Sequence, residues 1–126
     1  MVRLLRLNAR LWPLATLAVL VAVTALSLSP KPLRIDDPVA GNDKLQHLAA
    51  YLALALPVAL ARPRGWGWWI AGFALWSAAI EVVQPLVGRS TFFSDFLANA
   101  AGLALAVAAA TGLRRAFGAE AAQARR

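Results

Sequence analysis

Four apolar stretches, Leu11 to Ser29, Leu45 to Ala61, Trp68 to Val87 and Phe92 to Leu113, take up most of this chain. Each approaches the roughly 20 residues that an α-helix needs to cross the hydrocarbon core of a bilayer. Inside lipid every backbone N–H and C=O must be satisfied within its own segment, so the pattern predicts an all-α membrane protein, a bundle of four transmembrane helices. The composition agrees, because 60% of the 126 residues are hydrophobic and 15% charged, more apolar surface than one soluble core of this size could bury. A ten-residue head, a polar loop from Pro30 to Lys44, two short turns and a tail from Arg114 remain. No soluble catalytic or nucleic-acid-binding domain fits among them, and residues 1–126 read as a single integral membrane domain.

The second stretch is the shortest and contains Pro57, which removes a backbone donor and tends to kink a helix. Pro85 is expected to bend the last turn of the third. Membrane helices tolerate both where neighbouring helices or polar side chains satisfy the freed carbonyls. The first stretch follows Arg3, Arg6 and Arg10, as in a secretory signal peptide, but it is longer than the usual signal core. The Leu26-Ser27-Leu28-Ser29-Pro30 that follows is also a poor small-residue cleavage site, so a retained helix is expected. Cysteine is absent, which excludes a disulfide framework, a thiol nucleophile and a zinc–thiolate site.

A formal charge of +7 would point to nucleic acid in a soluble protein, but here its distribution carries the information. With the amino terminus in the cytoplasm, Arg3, Arg6, Arg10, Arg62, Arg64, Arg114, Arg115, Arg125 and Arg126 lie inside. Lys31, Arg34, Lys44 and Arg89 lie outside, a nine-to-four split that fits the positive-inside rule and places both termini in the cytoplasm. Trp12, Trp66, Trp68 and Trp69 then sit at the inner interface, and Phe92 and Phe93 near the outer one. Orientation and contact with anionic lipid account for the inner arginines without nucleic acid.

This topology gathers the polar residues at one side of the membrane. Asp43, His47 and Tyr51 recur at i, i+4 and i+8, along one face of the second helix near its outer end. Glu81 and Gln84 lie in the last two turns of the third helix before Pro85. Asp95, Asn99 and Gly102 recur at i, i+4 and i+7 where the fourth helix begins. With Lys44 and Arg89, three carboxylates face two fixed cations and one histidine, the residue type whose charge changes near neutral pH. These groups are expected to share one cavity. Ala106 and Ala110 extend the small face of the fourth helix beyond Gly102, a spacing that lets two helices pack closely.

In order and spacing, Asp43-Lys44-x-x-His47-x-x-x-Tyr51, Glu81-x-x-Gln84, and Arg89 followed by Asp95-x-x-x-Asn99-x-x-Gly102 resemble the signature of the VanZ-like membrane proteins. The resemblance covers about half of the chain, from the second helix to the middle of the fourth, and departs from the family pattern at Ala106, where a further glycine is expected. It implies a small multi-pass protein of the bacterial cell envelope, in the cytoplasmic (inner) membrane. Some members of the family are associated with resistance to glycopeptide antibiotics, notably teicoplanin. The resemblance supplies no reaction.

Each polar residue also has a purely structural reading. His47 could do no more than bond Asp43 one turn away, and Tyr51 could cap the network with its hydroxyl. Lys44 and Arg89 are placed to snorkel, with Arg89 expected to pair with Glu81 or Asp95 and tie the last two helices together. Asn99 reads as an amide bridging helices. Glu81, about two turns below the surface, has the fewest structural explanations. Three functional classes follow. The leading one is a non-enzymatic protein that binds a membrane lipid head group, a lipid-linked cell-wall precursor or a partner, through Asp43, Lys44, His47, Tyr51, Glu81, Gln84, Arg89, Asp95 and Asn99. The alternative is an enzyme on a lipid-linked phosphate with Glu81, His47 and Asp95 as acid/base candidates, although no nucleophile motif accompanies them. A transporter is the third, but the inner half of every helix is apolar and no path crosses unless the protein oligomerises. No cofactor is expected, and no metal, because Lys44 and Arg89 repel a cation and favour a phosphate.

Overall fold

The computed structural model describes residues 2–29, 42–89 and 92–123, without the side chains of 2–9, 42 and 118–123. Lys31, Arg34 and most of the Pro30 to Lys44 loop lie outside the described residues, as do Arg125 and Arg126. Four α-helices run in sequence: α1 (Val2–Leu28), α2 (Asn42–Ala61), α3 (Trp66–Val83) and α4 (Phe93–Gln123). All four are long and apolar enough to cross a membrane.

The helices exceed the apolar stretches at both ends of the described chain. α1 begins nine residues before Leu11, and α4 continues ten residues beyond Leu113. The head and tail therefore carry helix where the hydropathy pattern sees only polar flanks. Arg, Leu, Ala, Glu and Gln are good helix formers whether or not lipid surrounds them, so the limit of the apolar run marks a solvent boundary rather than a helix boundary. Pro13 and Pro57 lie within α1 and α2, which run through them. Pro85 acts differently. α3 stops at Val83, and Gln84–Val87 form a 3-10 turn with Pro85 in its first two positions. Gly88, with φ 76°, closes that turn in the left-handed region that glycine enters without a Cβ penalty.

α2 is the central helix, packing most extensively on α4 and then on α1, while α3 touches each of the others more lightly. Its inward stripe follows helical periodicity: Tyr51, Leu54, Ala55, Val58 and Ala59 are all buried. Val23, Phe73, Leu103 and Ala106 complete the core from the other three helices. The α2–α4 contact is close because Gly102 lacks a side chain. A Cβ there would run into the carbonyl oxygen of Leu48 and stand 3.0 Å from the Leu52 nitrogen. Ala106 and Ala110, fully buried, carry this close approach down α4.

Only 11 to 28% of each candidate span is buried inside the bundle. The rest is apolar outer surface, with Leu14, Leu75, Val82 and Leu86 each more than half exposed. Contiguous apolar surface on this scale is stable against hydrocarbon and not against water.

Candidate functional site

Contacts between helices fix which ends meet. Gln84 Nε2 donates to the Ser27 carbonyl at 3.1 Å, and Lys44 Nζ lies 3.2 Å from Asp95 Oδ1. The end of α1, the start of α2, the end of α3 and the start of α4 thus come together. At the opposite end, Arg62 Nη2 donates to Thr111 Oγ1 and Arg114 Nη1 to the Leu60 carbonyl.

Along one face of α2, exposure falls with depth. Asp43 is exposed, His47 is half-buried, and Tyr51 is 2% exposed. His47 Nε2 stands 3.9 Å from Asp43 Oδ1, beyond hydrogen-bond distance, while its Nδ1 is 3.1 Å from Asn99 Oδ1. Asn99 Nδ2 in turn donates to Ser77 Oγ at 2.8 Å. One buried amide therefore links α2, α4 and α3, the bridging role expected for Asn99. The Tyr51 hydroxyl is buried facing Ser77 but has no hydrogen bond of acceptable geometry.

The Lys44 ammonium is half-exposed and neutralises Asp95, which is 4% exposed at the first turn of α4. The same ammonium lies 6.0 Å from the centroid of Phe92. Asp95 also sits where an acidic residue favours a helix N-terminus. Arg89 departs from expectation. Instead of pairing with Glu81 or Asp95, its Nη1 donates to the carbonyls of Leu26, at 3.0 Å, and Ser29, at 3.5 Å. These belong to the unsatisfied carbonyls that every helix leaves at its C-terminus, and a cation there also meets the negative end of the α1 dipole. Arg89 ties α1, not α4, to the turn after α3.

Glu81 lies beside, not on, the buried face of α3 formed by Phe73, Ser77, Ile80 and Gln84. It is half-buried and within electrostatic range of Asp95 and His47. Among the described residues it makes no hydrogen bond or ion pair.

A cavity of about 170 Å³ opens between α1 and α2 at this end. Asp43, His47, Tyr51 and Arg89 line it, joined by Gln46 and Ser27. Lys44, Glu81, Gln84, Asp95 and Asn99 are not part of this cavity's described lining. The close α2–α4 contact at Gly102 leaves Asp95 and Asn99 packed in the helix interface, while this cavity lies on the α1 side of α2. Ser77 is the network member that the sequence reading missed. Its place four residues before Glu81, one helical turn away, was the available signal.

Asp43, His47 and Asp95 bring potential metal-ligand atoms within 4.8 Å of one another. Lys44 Nζ, 3.2 Å from Asp95 Oδ1, would place a second cation beside any ion held there. The fold and the site together define a multi-pass helical protein with a polar, mixed-charge network at one end of its bundle. The chain matches no family model, no curated protein and no solved structure.

Proposed function

We propose that this is a VanZ-like protein of the bacterial cytoplasmic membrane, with both termini in the cytoplasm, whose polar end faces outward and binds a lipid head group or a lipid-linked cell-wall precursor. Glycopeptide resistance, teicoplanin in particular, is the cellular setting that the resemblance suggests. The orientation rests on charge: Arg62, Arg64, Arg114 and Arg115 cluster at the end opposite the site, as the positive-inside rule requires of a cytoplasmic face.

The observation that carries binding is the α1–α2 cavity at the polar end of the bundle, lined by Asp43, His47, Tyr51 and Arg89. Ionisable groups within a span are costly, and partners within the bundle account for Lys44, Asp95 and Asn99 but not for Asp43 or Glu81. Acid/base catalysis is the weaker reading. Asp95 is neutralised by Lys44, His47 is held by Asn99, and among the described residues no serine or threonine hydroxyl is paired with either.

Native mass spectrometry from mild detergent tests the proposal, comparing lipids bound to the wild type and to Glu81→Gln and Arg89→Ala. A specific head-group class retained by the wild type and lost in folded variants supports binding. Folded wild type with no specific lipid means that the polar groups only hold the bundle together.

A further inference from the structure

The cavity between α1 and α2 has an unusual charge pattern for a phosphate site. Among the described residues its two charged side chains have opposite sign, Asp43 on α2 and Arg89 on the turn after α3. Among those residues Asp43 has only His47 nearby, at 3.9 Å, and Arg89 uses Nη1 alone on the α1 carbonyls, which leaves its other side-chain N–H groups uncommitted there. Lys44 is outside the lining and already holds Asp95, so it adds no charge to the cavity. Deeper in, the Tyr51 hydroxyl is buried beside Ser77 without a well-formed hydrogen bond among the described residues, so it is able to donate to a ligand.

A ligand that is only anionic gains from Arg89 and is repelled by Asp43, and one that is only cationic has the reverse problem. A zwitterion is matched by both. At about 170 Å³ the space equals the liquid volume of about six waters, enough for a phosphate and a short amine. The α1 wall is apolar at Val23 and Leu26, and Leu26 is half-exposed toward the outer surface of the bundle, where an acyl chain can lie.

We propose that this cavity seats a zwitterionic phosphoester head group of the ethanolamine type. The phosphate sits on Arg89, the primary ammonium donates to Asp43, and the Tyr51 hydroxyl donates to a phosphoester oxygen. The inference rests on the head-group reading above and narrows it to one ligand class.

The test is calorimetric titration of the full chain in detergent with short-chain phosphatidylethanolamine, phosphatidylcholine and phosphatidylglycerol, and with free phosphoethanolamine. Phosphatidylethanolamine is expected to bind at least tenfold more tightly than phosphatidylglycerol, which lacks the ammonium. It should also exceed phosphatidylcholine, whose quaternary nitrogen cannot donate. Asp43→Asn should abolish the preference over phosphatidylglycerol, and Tyr51→Phe should weaken both severalfold at an unchanged melting temperature. Equal or tighter binding of phosphatidylglycerol to the wild type overturns the zwitterion and leaves the head-group reading standing, as does a preference that Asp43→Asn does not alter. Free phosphoethanolamine binding as tightly as the lipid supports the ligand chemistry and overturns the lipid source. No binding of any of these, nor of a polyprenyl phosphate, by folded protein overturns both readings.

Discussion

The Asn99 amide and the His47 ring lie 3.1 Å apart, Oδ1 to Nδ1, across the tightest helix contact in the bundle. Asn99 Nδ2 is committed to Ser77, so the amide oxygen faces the ring and His47 Nδ1 is its partner. That leaves Nε2 turned toward Asp43 and the cavity. Interhelical hydrogen bonds in membranes are worth about 0.6 kcal/mol on average and up to about 1.7. A double-mutant cycle of His47→Ala and Asn99→Ala, read by unfolding in detergent, should give a coupling energy within that range. Strictly additive effects would show that the two do not interact.

Among the described glycines, Gly102 is the one where an added methyl group meets neighbouring backbone. Its added Cβ would meet the backbone of Leu48 and Leu52 on α2, and backbone cannot rotate aside as a side chain can. Gly102→Ala should destabilise the protein by about 1–3 kcal/mol, the usual penalty of overpacking. Gly112, further along α4, has nothing near its missing Cβ, so Gly112→Ala is the matched control and should be neutral or stabilising by up to about 1 kcal/mol, the helix-propensity gain. Equal melting temperatures for the two variants would refute the close α2–α4 approach.

Lys44 and Asp95 differ in what they lose when parted. Lys44 is half in solvent, whereas the Asp95 carboxylate is buried, so Lys44→Gln strands a charge and Asp95→Asn does not. Lys44→Gln should therefore cost about 1–3 kcal/mol. Adding Asp95→Asn should recover most of that loss, and thermal unfolding of the single and double variants measures it. A double variant no more stable than Lys44→Gln alone would mean that the ion pair contributes little.

The spans were legible in the sequence because hydropathy reports directly on what a segment can bury, and i, i+4 spacing correctly placed Asp43, His47 and Tyr51 on one face. Two things were not legible. Hydropathy does not see polar helix, so residues 2–10 and 114–123 were read as flanks although they extend α1 and α4. Nor does spacing within one helix reveal which neighbour a long side chain reaches. Arg89 was expected on a carboxylate, but the turn that Pro85 starts and Gly88 closes carries it to the open end of α1. The partner there is a row of main-chain carbonyls, which no residue pattern encodes. The same blindness hid the split between Asp95 and Asn99 in the helix interface and Asp43 and Arg89 on the cavity, since the packing depth of Gly102 decides it.

Arg89 gives the sharpest check on how α1 is held. Its guanidinium and the Gln84 amide both donate to carbonyls near the end of α1, at Leu26, Ser27 and Ser29. A charged donor at a helix C-terminus contributes about 0.3–1 kcal/mol through the dipole alone, and local opening is more sensitive to such a loss than global stability. Arg89→Ala should raise amide hydrogen exchange over the last two turns of α1 severalfold, with little change in α2 or α4. Arg89→Lys should rescue in part, because both carbonyls accept from the single nitrogen Nη1 and a lysine ammonium on its different stem replaces that nitrogen only imperfectly. If exchange in α1 is the same in the wild type and Arg89→Ala, the end of α1 is held by packing around Val23 instead, and Arg89 is left wholly free for the cavity.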